Sequence, residues 1–165
     1  MAPFLSAEPA GETLLSVMLF AGACKSRTTE VVTSPAPVAA TPSVAGPGAA
    51  APRAAVDGFL GAIASQDIQA LSGIWGDKNG PVRDSKIFPR ADMEQRSLYL
   101  MRCLKHDRYR ILNESPAADG ERVFSIELAR GTTTRVTDFF TARSGDRWYV
   151  RDVRMEPVRE LCASK

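Results

Sequence analysis

Apolar and polar positions divide this chain into three regimes. Residues 13–23, TLLSVMLFAGA, are an uncharged and mostly apolar stretch of eleven. Residues 25–52 have no period at all and are rich in Pro, Ala, Ser, Thr and Val, with scattered charges and no aromatic ring. Beyond residue 53 clear periods emerge. Val56, Phe59, Leu60 and Ile63 fall at i, i+3, i+4 and i+7, one face of a helix. Asp67 reads as the N-cap of a short second helix whose apolar side is Ile68, Leu71, Ile74 and Trp75. GDKNGP at 76–81 is turn chemistry and ends it. A third helix is predicted from Pro89 to Lys105. Pro89 suits a first helical position, and Asp92 and Glu94 suit the positive end of the dipole. Met93, Ser97, Leu100 and Leu104 share one side, widened by Leu98 and Met101.

The period then drops to two. DRYRILNES (107–115), ERVFSIELAR (121–130), TTRVTDFFTAR (133–143) and DRWYVRDVRM (146–155) alternate and are rich in β-branched and aromatic residues. SPAADG and SGD are hairpin loops, and Gly131 marks a tight turn or bulge. Helices followed by an antiparallel meander predict an α+β domain over residues 53–165. Its N-terminal helices pack on one face of a sheet of about four strands.

Charge adds one exclusion. All 21 Lys and Arg follow residue 24, where they face 17 of the 19 Asp and Glu, since only Glu8 and Glu12 precede. That excess is too small and too interspersed for a nucleic-acid surface. The strand arginines, with acids between them, read as a mixed solvated face.

The first regime is too short to span a bilayer. Eleven helical residues rise ~16 Å, against the ~20 residues a hydrocarbon core needs. The length and the small residues Ala21, Gly22 and Ala23 suit the apolar region of a signal peptide, although the first twelve residues lack its usual positive charge. AGAC at 21–24 resembles the bacterial lipoprotein signal, with Ala21 where Leu or Val is commoner. That resemblance implies cleavage before Cys24 and a lipid on its thiol. Residues 1–23 are then the signal peptide, and residues 24–52 the lipidated cysteine plus a disordered tether. Such a tether has an r.m.s. reach of roughly 30 Å. The expected location is the cell envelope, lipid-anchored to a bacterial membrane and facing the periplasm or exterior.

AVDGFLGAIASQDIQALSGIWG and SGDRWYVRDV resemble the opening helix pair and the closing strand of the nuclear transport factor two-like (cystatin-like) superfamily. The resemblance implies a strongly curved sheet wrapped around a long helix, a cone with a pocket, and a homodimer. It does not select an activity, because the superfamily holds exported lipoproteins as well as small isomerases and cyclases. The expected function is therefore a non-enzymatic, membrane-anchored envelope lipoprotein whose domain binds a small hydrophobic ligand or a protein partner, without a cofactor. The alternative is a small isomerase- or cyclase-like enzyme.

Three cysteines are present. With Cys24 lipidated, Cys103 and Cys162 remain as a pair in an oxidising compartment, where disulfides persist. Two buried free thiols, or a chelate of Cys103, His106 and Cys162, are the other readings. The chelate is short of ligands for zinc, and the expectation is no metal. For the enzyme alternative the base is Asp138 or Asp152. Asp138 alternates with Val136 and Phe140, and Asp152 with Trp148 and Val150. A three-residue loop at Ser144–Asp146 places the two carboxylates opposite each other, where one acid raises the pKa of the other. A one-residue slip instead puts Asp138 beside Arg151 or Arg154 in a surface ion pair. His106, the only histidine, reads as a helix-end residue. Tyr99, Tyr109 and Tyr149 are candidate hydrogen-bond donors with no evident target.

Overall fold

The computed structural model describes residues 46–87 and 89–163. The signal segment, Cys24 and most of the tether lie outside the described residues. The domain is α+β. Helices α1 (Pro52–Ser65), α2 (Ile68–Ile74) and α3 (Arg90–Cys103) come first, with a two-stranded ladder of β1 (Gly76–Asp77) and β2 (Gly80–Pro81) between α2 and α3. Four strands then form an antiparallel meander, β3 (Arg108–Pro116), β4 (Arg122–Arg130), β5 (Thr133–Ser144) and β6 (Arg147–Val153), in that spatial order. A short helix α4 (Arg159–Ala163) closes the described chain.

The core is the apolar face of α1 laid on β4, β5 and β6. Val56, Phe59, Leu60 and Ile63 are fully buried, as their spacing predicts, against Phe124, Ile126, Phe139 and Val150. Each large side chain so buried contributes about 1.5–3 kcal/mol. Phe59 meets Phe139 edge to face, with ring centroids 6.0 Å apart at 82°. Pro52 opens α1, and Gln66 ends it in the left-handed region at φ 57°. The Asp67 carboxylate accepts from the Ala70 N–H at 2.9 Å, so the expected N-cap is formed. α3 begins at Arg90 with Pro89 as its cap residue, one position later than expected. It buries Ser97, Met101 and Cys103, but Leu98 points into solvent, 56% exposed.

Order begins earlier than the composition shift suggests. Gly46–Ala49, within the expected tether, lie along the free edge of β6. The Gly48 N–H donates to Gly73 O at 2.8 Å, and Ala49 exchanges both backbone hydrogen bonds with Trp148. The Arg147 guanidinium donates to the carbonyls of Gly46, Pro47 and Gly48 at 3.1, 3.2 and 2.6 Å. Gly48 sits at φ 77°, where a Cβ would lie 2.7 Å from the Tyr149 ring. Only glycine fits there. Two residues along, Trp75 bridges Val150. Strap and Trp75 together cover an edge that would otherwise offer unpaired backbone groups. The opposite edge, β3, carries a bulge at Leu112 and a terminal proline, both devices that discourage pairing with another strand.

The C-terminal segment, a tail in the sequence reading, is bound at three points. Val158 and Leu161 are buried, Arg135 pairs with Glu160, and Arg130 Nη1 donates to Leu161 O at 3.0 Å. The sulfurs of Cys103 and Cys162 lie at disulfide distance, 2.16 Å, with Cys103 fully buried.

Two outcomes are expected from these contacts. Cys103 and Cys162 are 59 residues apart, and closing a loop of that size is worth about 4 kcal/mol in the chain-entropy model. Replacing both cysteines by serine should therefore lower stability by roughly 2–4 kcal/mol, read from urea unfolding with and without reductant. The second outcome concerns Tyr109, whose hydroxyl donates to Asp57 Oδ1 at 2.9 Å and ties β3 to α1. Burial first, then that hydrogen bond and the Asp57 charge, raise its pKa above the ordinary tyrosine value. The stabilisation belongs to the protonated phenol. It is complete below the unfolded value of about 10 and is lost as pH rises through the folded value. Ultraviolet titration should show a late phenolate transition that moves back down in Asp57→Asn.

Candidate functional site

A cleft of about 350 Å³ opens between α3, the β1–β2 turn and the end of β6. Its floor is apolar, formed by the buried Phe59, Val150 and Val153, with Trp75, Leu100 and Met155 as walls. Asp77, Arg96 and Asp152 border it. This size and this mixture of apolar walls with a few polar groups suit a small organic ligand.

Two local features build the cleft. The first is the turn Gly76–Pro81. A Cβ on Gly76 would lie 2.4 Å from Gly80 O, so glycine is required for the two short strands to approach. Asp77 Oδ1 accepts from the Asn79 N–H at 2.7 Å and holds the turn closed. GDKNGP thus reads correctly as a turn, but its role as a wall depends on where α2 delivers it. The second is a bulge in β6. Thr141 pairs with Val150 and Phe140 with Asp152, which leaves Arg151 as the extra residue. Val150 and Val153 consequently face the core, three residues apart instead of two.

The same bulge corrects the expected carboxylate pair. The β5–β6 loop has two residues, Gly145 and Asp146, because Ser144 pairs with Arg147. Gly145 at φ 60° takes the position that such a hairpin turn reserves for glycine. The register therefore differs from that of a three-residue loop, and Asp138 does not pair with Asp152. Asp138 lies opposite Ser125 on β4 and, at the end of β6, exchanges with Arg154: the Arg154 N–H donates to Asp138 O at 2.9 Å, and Arg154 Nε lies 3.2 Å from Asp138 Oδ2. This is the ion pair that the slipped register predicts. Asp152 pairs with Phe140, is exposed, and accepts from the Val153 N–H through Oδ1 at 2.8 Å. One of the two acids borders the cleft and the other does not, so the structure assembles no shared-proton dyad.

The other candidates are occupied elsewhere. His106 Nδ1 lies 2.9 Å from Leu104 O, and its ring packs edge to face with Tyr109 at 5.5 Å. The Tyr149 hydroxyl faces Pro47 O at 3.4 Å, and burial raises its pKa. The sulfurs of Cys103 and Cys162 are engaged with each other and offer no thiolates to the chelate with His106. Among the described residues no cluster of three metal-ligating side chains occurs.

A second depression of about 270 Å³ lies between α2 and the first turn of α3. Its charges are already matched, Arg90 with Glu94 at 3.1 Å and Arg83 with Asp84 at 3.8 Å. The cleft is therefore the stronger candidate, because its floor is apolar.

Compared with known proteins, the chain matches no family model, no curated protein and no solved structure.

Proposed function

We propose that this chain is an envelope lipoprotein, anchored through Cys24, whose α+β domain binds a small hydrophobic molecule in the cleft floored by Phe59, Val150 and Val153. The observation that carries the reading is the cleft itself, an apolar cavity of about 350 Å³ bordered by a few charged groups. Helices stacked on one face of a four-stranded antiparallel meander agree with the nuclear transport factor two-like reading, in which the pocket lies between the helices and the sheet. The order of segments supports the anchor: an apolar run, one cysteine, a Pro- and Ala-rich spacer, then a domain.

The enzyme alternative requires a carboxylate enclosed by apolar groups, as that environment is what poises an acid for proton transfer. Asp138 is bound to Arg154 and Asp152 is exposed. No observation favours that alternative over binding.

Two measurements test the proposal. An uncharged fluorescent probe such as N-phenyl-1-naphthylamine should bind the protein with saturation. Val82→Trp, which fills the cleft from its outer wall, should weaken that binding by about tenfold and leave urea unfolding unchanged. Equal binding by the variant would remove the cleft from consideration. Separately, intact-mass analysis of membrane-extracted protein should find a chain beginning at Cys24 with a diacylglyceryl adduct. An unprocessed N-terminus would refute the anchor.

A further inference from the structure

We propose that a second hollow, between the C-terminal half of α3, the α1–α2 junction and α4, binds an anionic single-chain amphiphile. The head, a carboxylate or phosphate, is held by Arg102 and Lys105, and the acyl chain lies along Leu98 and Met101. The hollow measures about 610 Å³, and Arg130 and Gln66 complete its wall. It is distinct from the cleft and shares no lining residue with it.

Charge is the first observation. Among the described residues no carboxylate lines the hollow, although three cations do. Elsewhere several arginines are matched by acids. Arg110, Arg122, Arg135, Arg151 and Arg154 each meet a Glu or Asp. Among the described residues Arg102 and Lys105 meet no carboxylate. Arg102 lies over the Tyr99 ring at 5.8 Å. Arg130 is already engaged with Leu161 O and serves as wall. Two cations lining one hollow suit an anion, and an arginine fork is the better of the two readers for carboxylate or phosphate.

Apolar exposure is the second observation, and it is independent. Leu98, next to the fully buried Ser97, is 56% exposed, and Tyr99 is 43% exposed. A helix that keeps a serine in and a leucine out has a reason to present the leucine. Isolated exposed leucines are ordinary, but one beside an exposed tyrosine and two cations forms an amphiphilic surface. The third observation is Gln66. It occupies the left-handed region at φ 57°, where glycine is the unstrained choice. Its Nε2 donates to Ile63 O at 2.8 Å, so its side chain is held at the hollow's edge.

The test is a titration of the full chain, disulfide intact, followed by amide NMR. The probes are decanoate, acetate, decyl maltoside and phosphatidylglycerol vesicles. Decanoate should shift the amides of residues 98–105 with saturation, and acetate should bind far more weakly. Reversing both charges (Arg102→Glu with Lys105→Glu) should weaken decanoate binding roughly tenfold or more. Leu98→Ser, a change at an exposed position that spares folding, should weaken decanoate and leave acetate unchanged. The proposal is overturned by any of four results: decyl maltoside shifts the same amides as strongly; acetate matches decanoate; the shifts fall at Trp75 and Val150 instead; or vesicles bind and free decanoate does not. The last two reassign the ligand to the cleft and to a membrane surface respectively.

Discussion

The register of the β5–β6 hairpin governs most of this domain. Gly145 at φ 60° permits a two-residue turn, and that turn sets Arg143 opposite Trp148 and Thr141 opposite Val150. Val150 then faces the buried side of α1, while Ala142 and Tyr149 share the other face, where Gly48 covers the tyrosine ring. The extra residue, Arg151, advances the pairing by one and brings Val153 inward. A single strand thus changes which of its positions form the core partway along its length. The floor of the cleft exists because Val150 and Val153 both face inward on either side of that bulge. The Asp138–Arg154 pair, worth at most about 1 kcal/mol at its exposure, is a consequence of the same shift.

The elements with long, unbroken periods were legible in the chain. The four apolar positions of α1, the Asp67 cap and the four strands needed only spacing and propensity, since each is decided by neighbours within one element. The features that escaped are those in which two distant segments decide together. The bulge at Arg151 has no local signature, because Arg and Asp are both acceptable on an exposed strand face. The docking of Gly46–Ala49 was hidden by composition. Pro and Gly that read as a loose tether are also what lets a chain lie flat beside Tyr149 and offer three consecutive carbonyls to Arg147. α4 was missed because RELCA is too short to show a period. Its anchors, Val158, Leu161 and Cys162, matter only once α3 is beside them.

The candidate site was legible in part for the same reason. Asp138 and Asp152 were identified as the acids to watch, and one of them borders the cleft. Their relative placement depended on loop length, where one residue exchanges every partner along the ladder. Leu98 is the instructive residue. Its position in α3 fits the apolar stripe, and the helix turns it outward because Ser97, Met101 and Leu104 take the buried arc instead. Ser97 tolerates that burial by donating its hydroxyl to Met93 O at 2.9 Å, one turn back.

α3 is consequently an element that three hollows of the domain share. Arg90, Met93 and Glu94 line the polar depression, Arg96 and Leu100 the cleft, and Leu98, Met101, Arg102 and Lys105 the basic hollow. A helix seated deep in a core would close all three. This one is held by a narrow arc, Ser97, Met101, Cys103 and Leu104. Such an arc supplies little apolar area, so the helix needs a further constraint to stay in place. The Cys103–Cys162 pair supplies it at the C-terminal end, and α4 transmits it to the sheet through Leu161, Arg130 and the Arg135–Glu160 ion pair. The pairing of the two cysteines is therefore more than a staple on a loose tail. It lets α3 stand over the sheet with space on both sides, and those spaces are where this domain has room for a ligand.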